Sequence, residues 1–120
     1  MGLTMADELI ARFEALLTKG GDGAALRLAL ASRYLDAGDA PAAMRHAEAA
    51  VRLDPEYSAA WKTFGRALAA AGRVTDALAA YERGARVAEG RGDQQAAKEM
   101  RVFSKRLQRA AAKPEDKNTG

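Results

Sequence analysis

His46 is the only histidine among the 120 residues, and the chain has no cysteine. No carboxylate pair stands at ligand spacing from it, so thiolate nucleophiles, Cys-based zinc sites and His–carboxylate metal sets all lack members. His46 therefore reads as a surface or packing residue, and no metal or cofactor is expected. Asp36 and Asp39 flank Gly38, a spacing that suits the capping of a turn better than acid–base work. Gly20-Gly21 and Gly90-x-Gly92 read as helix stops, because a phosphate-cradling loop follows a strand and no segment alternates as one. The chemistry left is ionic. Lys62 and Arg66, four apart, share a helical face and fit an acidic side chain or a C-terminal carboxylate. Lys98, Arg101, Lys105 and Arg109 recur at steps of three, four and four, a basic stripe suited to phosphates or an anionic surface. Phe103 is the one aromatic residue near that stripe and belongs to an apolar face, so a base-stacking platform is missing. These residues argue against an enzyme and leave binding.

Composition narrows the scaffold that must position these groups. The chain is 48% hydrophobic and rich in Ala, Leu, Arg and Glu, a helix-favouring mixture sufficient for one small core or a short repeat array. Asp7 and Glu8 stand where a secretory signal needs basic residues, and Ala6 stands where a myristoylation motif needs Ser or Thr. No apolar run approaches membrane-spanning length, so a cytoplasmic location is expected. Residues 1–60 carry six basic and nine acidic side chains, whereas residues 61–120 carry thirteen basic and seven acidic ones. That asymmetry fits a polarised surface on a solvated helical array.

Six helices follow from periodicity and punctuation. Thr4 and Asp7 form a capping-box start for a helix over about 5–19, with Leu9, Ile10, Phe13, Leu16 and Leu17 as its stripe and Arg12 and Glu14 off it. Helices over about 23–37 and 40–53 follow, the first with Leu26, Leu30, Ala31 and Tyr34 on one face and Leu28 and Leu35 on a neighbouring one. Asp39 is the expected N-cap of the second, with Pro41 tolerated in its first turn. Helices over about 57–71 and 74–89 are joined by a tight turn at Gly72. Gly92-Asp93 stops one helix and caps the last, 93–112, whose stripe is Ala96, Met100, Phe103, Leu107 and Ala110. Residues 1–112 make one helical domain, and the charged, apolar-free residues 113–120 read as a disordered tail.

An internal period of 34 residues then appears. Tyr34, Gly38, Ala43, Ala47 and Ala50 align with Leu68, Gly72, Ala77, Tyr81 and Gly84. In the second unit Trp61, Phe64, Gly65 and Leu68 share one helical face, and Ala77, Tyr81 and Gly84 share another. Gly65 and Ala77 mark a close approach of two helices, with Trp61 and Tyr81 filling the space around it. The frame slips in the last helix, where Lys98 and Glu99 fall on positions that should be apolar and small. These residues resemble the Trp-x2-Leu-Gly-x2-Tyr…Ala-x3-Phe…Pro pattern of the tetratricopeptide repeat.

The resemblance implies an all-α, right-handed superhelix of antiparallel helix hairpins: a half-repeat, two full repeats and a C-terminal capping helix. It implies a non-enzymatic protein–protein interaction module, a small adaptor or co-chaperone-like scaffold. Such a module takes a peptide or partner segment in the concave groove lined by the first helix of each pair. Carried over by register, the groove positions are Leu28, Ser32 and Leu35, then Lys62, Thr63 and Arg66, then Met100 and Phe103. Leu28 and Ser32 occupy two positions where the chaperone-binding members carry clamp residues, a departure from that activity. Lys62 and Arg66 suggest an acidic partner. Two alternatives stand beside this reading: nucleic-acid or anionic-surface binding through the basic stripe, and homodimerisation through an apolar groove patch of Leu28, Leu35, Met100 and Phe103.

Overall fold

Four glycines with positive φ set the rhythm of the fold, and two of them carry the repeat. Gly38 (φ 82°) and Gly72 (φ 80°) take the left-handed conformation that ends a helix, at equivalent positions of successive units. At the second, the Gly72 N–H bonds to the Ala69 carbonyl (3.0 Å) and the Arg73 N–H reaches back to the Leu68 carbonyl (2.9 Å). That is a Schellman closure, and it reverses the chain without leaving buried carbonyls unpaired. In this computed structural model, which describes residues 2–113, such turns join α1 (Met5–Thr18), α2 (Ala24–Asp36), α3 (Ala40–Leu53), α4 (Ser58–Ala70), α5 (Val74–Gly90) and α6 (Gln94–Ala112). No strand occurs among the described residues.

The helix starts are locally encoded as expected. Thr4 and Asp7 exchange side-chain and backbone hydrogen bonds in a full capping box. Asp39 accepts from the Ala42 N–H (3.1 Å) and Asp93 from the Ala96 N–H (3.0 Å). α5 has no side-chain cap; Arg73 occupies that place and pairs with Asp76 in the first turn instead. Lys113, the first residue of the expected tail, is the exposed C-cap of α6, and the remainder, 114–120, lies outside the described residues.

Packing explains the curvature. α2 with α3, α4 with α5, and α5 with α6 are the closest-packed pairs, and α3 also lies along α4. α2 touches α4 and α4 touches α6, whereas α3 and α5 make no direct helix–helix contact. The first helices of the hairpins therefore converge and the second helices splay, so the face made by α2, α4 and α6 is the concave one. The smallest dimension of the molecule is 19 Å, two helix layers thick.

Most of the buried apolar residues are alanines, among them Ala31, Ala43, Ala47, Ala50, Ala60, Ala77 and Ala85, all fully inaccessible. Large side chains are few, so each occupies a made-to-measure space. Where the first repeat sets Ala31 and Ala47, the second sets Gly65 and Tyr81. A Cβ on Gly65 would lie 2.5 Å from the Tyr81 ring, so the larger tyrosine requires the smaller glycine. Gly84 is explained in the same way. A Cβ there would lie 2.5 Å from Met100 Sδ and 2.7 Å from Trp61 Cβ. Gly84→Ala is expected to lower stability by about 1–3 kcal/mol through overpacking, despite alanine's better helix propensity. Chemical denaturation checks this, and a stabilised variant would show that α6 does not sit against that point of α5.

Candidate functional site

On the concave side α4 and α6 enclose a shallow cleft of about 360 Å³ lined by Arg66, Ala69, Tyr81, Phe103, Arg106 and Leu107. Tyr81 comes from α5 and forms the buried floor, 4% exposed, with Phe103 tilted against it at 5.7 Å between ring centroids. Phe103 and Leu107 recur four apart on α6 and are half-buried, which leaves apolar surface facing the cleft. Arg66 and Arg106 stand exposed at its sides, and among the described residues neither forms an ion pair. No acidic side chain lines the cleft. Burial pushes the Tyr81 hydroxyl above its ordinary pKa, and the nearby Arg66 charge opposes that shift. The site is thus an apolar floor between two uncompensated cations, which suits a segment presenting a carboxylate beside an apolar side chain.

Several expected groove residues are placed otherwise. Thr63 (5% exposed) and Met100 (1%) are core residues and present no surface to a partner. Thr63 faces inward because α4, in the middle of the array, is covered by α2, α3, α5 and α6 together. Met100 fills the space left by Gly84. Lys62 is tied to Glu99 of α6 at 3.1 Å, so it staples the two helices and is not paired with Arg66 as a clamp. Glu99, displaced from the repeat frame in the sequence, thereby finds its partner. Leu28, Ser32 and Leu35 stay half-buried on α2 and do not line the α4–α6 cleft. Of the residues expected in a groove, Arg66 and Phe103 line this cleft, and Arg106 lines it with them. It was legible only as one more charge near the basic stripe.

That stripe is not continuous. Lys98, Lys105 and Arg109 are exposed on α6, but Arg101 pairs with Glu89 of α5 at 2.6 Å, and its hydrogen bond holds the Glu89 carboxyl below its usual range. One of the four cations is thus already neutralised, which weakens the phosphate-tracking reading.

A second polar constellation ties down the N-terminal helix. α1 has no fully buried residue and packs by its backbone on α2 alone. Glu14 is not off its buried stripe but turned inward: one carboxylate oxygen accepts from the Tyr34 hydroxyl (2.6 Å) and from His46 Nε2 (3.2 Å). Arg27 Nη1 lies 3.2 Å from His46 Nδ1, and a guanidinium only donates. Nδ1 is therefore the acceptor, Nε2 carries the proton, and the imidazole is neutral. Arg27 completes the chain with a two-pronged pair to Asp22. The Tyr34 and His46 rings stack at 5.5 Å, with 1° between their planes. The hydrogen bond to Glu14, aided by burial, pushes the Tyr34 hydroxyl up to about 12. Burial, with the Arg27 and Arg45 charges against the Glu14 attraction, holds His46 below its ordinary 6.5.

Folded His46 resists a proton that the unfolded chain accepts, so stability is full above about pH 6.5 and declines as pH falls below it. The depressed carboxyls of Asp22 and Glu89 act only in more acid solution, below their ordinary 3.8 and 4.5. Denaturation midpoints compared at about pH 7.5 and 5.5 are expected to drop for the wild type and to change much less for His46→Gln. An equal drop in both would remove His46 from the network.

The six helices, paired into hairpins that stack side by side, define a helical-repeat protein. The profile of the Tetratricopeptide repeat family matches residues 34–100. A TPR repeat-containing protein of Pseudomonas aeruginosa, PA0015, is 48% identical over 102 residues, spanning 85% of this chain and 97% of its own. The chain belongs to the tetratricopeptide repeat family, whose repeats generally mediate protein–protein interaction. Among solved structures, protein BPP2914 from Bordetella parapertussis superposes with a TM-score of 0.76 at 36% identity, covering 99% of this chain and 100% of its own. MamA superposes with a TM-score of 0.62 at 17% identity over 89% of this chain and 76% of its own, a likeness of fold alone. No helix among the described residues is long and apolar enough to cross a membrane.

Proposed function

We propose that the protein is a non-enzymatic interaction module of the cytoplasm that takes a partner segment in the concave cleft between α4 and α6. The observation that carries this reading is the pairing of Arg66 and Arg106, without counter-ions among the described residues, around the apolar floor of Tyr81, Phe103 and Leu107. The segment presents a carboxylate, from an acidic side chain or a chain terminus, to the two guanidinium groups. A neighbouring apolar side chain covers Phe103 and Leu107. Arginine suits this task because its planar fork meets a carboxylate with two parallel hydrogen bonds.

The test is affinity capture from nuclease-treated native lysate with wild type and Arg66→Glu/Arg106→Glu, followed by identification of the bound proteins. A specific protein retained by the wild type and lost by the double variant is the expected result. Retention by both removes the cleft as the site. Nucleic acid recovered before nuclease treatment, with no protein after it, favours the basic face of α6.

A further inference from the structure

A cleft of about 500 Å³ lies on the opposite, convex side. It opens between α3 and α5, which run the same way because each is the return limb of a hairpin, and α4 forms its floor. Met44, Trp61 and Phe64 are half-buried there, with buried Leu68 beneath them. The Trp61 indole N–H is already satisfied by the Pro55 carbonyl at 2.8 Å, so the ring asks no polar partner of whatever enters. Charge at the lips is nearly all spent internally: Glu48 pairs with Arg52 at 2.9 Å and Arg73 with Asp76. Arg45 is the exception and forms no ion pair among the described residues.

We infer that this trough is a second docking site, and that its occupant is an amphipathic helix of a partner protein. A large apolar side chain of that helix rests on Met44, Trp61 and Phe64, and a carboxylate one turn away meets Arg45. The occupant is a helix because the trough is the gap between two co-directional helices whose backbones do not approach each other closely. A third helix laid there packs ridges into grooves, as α4 does on the other side of the same pair. It is acidic because the one uncompensated charge of the trough is a cation, and a basic helix would leave Arg45 facing its own kind. Met44 adapts its unbranched thioether to side chains of different shape. With the concave cleft on the opposite face, one chain bridges two partners.

The experiment selects binders to the full chain from an mRNA-displayed library of amphipathic helical peptides. Expected are peptides with apolar residues at helical spacing and a flanking Asp or Glu, whose binding changes the fluorescence of the single tryptophan, Trp61. Their affinity falls by about tenfold or more for Met44→Glu and for Arg45→Glu, and is unchanged for Arg66→Glu/Arg106→Glu. Arg45 is exposed, so its variant keeps the fold even where Met44→Glu loosens it. Three results overturn the inference: no enrichment over Met44→Glu as bait, peptides indifferent to Arg45→Glu, or peptides lost only with the concave double variant. A wild-type dimer in sedimentation that Met44→Glu or Arg45→Glu dissolves also overturns it, because the occupant is then a second copy.

Discussion

Trp61→Ala is expected to cost about 3 kcal/mol or more of folding stability, a large share of the roughly 5–15 kcal/mol available to a domain of this size. Trp61 packs against both buried clusters, one built by Ala50, Val51 and Ala60 and the other by residues of α4, α5 and α6. Its Cβ closes on Gly84, its ring tilts against Phe64 at 6.3 Å, and Arg83 lies 5.5 Å over its face. Removing it therefore opens a cavity and also cuts the joint between the two repeats. Arrays of this kind are held by nearest-neighbour interfaces, so the loss falls on cooperativity as well as on the midpoint. Circular dichroism through a urea titration is the measurement, since the fluorescent reporter is itself deleted. Trp61→Phe keeps most of the packing, loses the hydrogen bond to Pro55, and is expected to cost about 1 kcal/mol. A Trp61→Ala variant as stable as Trp61→Phe would place the indole outside the core.

Arg66→Glu/Arg106→Glu is expected to weaken partner binding by about 100-fold, near 2.7 kcal/mol, with no comparable change in folding stability. Each guanidinium is exposed and makes no internal ion pair among the described residues, so reversal disturbs little inside the molecule. Its effect on an incoming carboxylate is large, because an attractive pair becomes a repulsive one. The single reversals are expected to lose less than the double, and Lys62→Glu to act through the α4–α6 staple with Glu99, seen as lowered stability. Titration calorimetry with the captured segment and thermal denaturation separate the two effects. Equal loss of binding and stability in the double variant would mean that the arginines serve the fold.

Much of the fold is legible in the sequence because its signals are local. Gly38 and Gly72 mark turns, Thr4, Asp39 and Asp93 mark helix starts, and a period of 34 relates one hairpin to the next. The turns and caps depend on residues within one turn of one another, where residue type and backbone conformation are tightly coupled, and the period repeats that local pattern. The site is less legible because it depends on which of several apolar faces meets which neighbour. Register alone places Thr63 and Met100 in the groove, although both are buried. α4 is enclosed by four helices, and a repeat frame does not reveal that. Arg106 reads only as one of many basic residues of α6, where the frame slips. The Glu14–His46 bond joins residues 32 apart across two helices and leaves no periodic trace. A lone histidine and a glutamate beside an apolar stripe were its only signals.

Amide chemical-shift mapping of the labelled protein with the captured partner segment tests the concave site most directly. Shifts are expected to concentrate at Arg66, Ala69, Tyr81, Phe103, Arg106 and Leu107 and to be abolished in Arg66→Glu/Arg106→Glu. Shifts confined to the outer face of α6, around Lys98, Lys105 and Arg109, with the α4–α6 cleft silent, would contradict it.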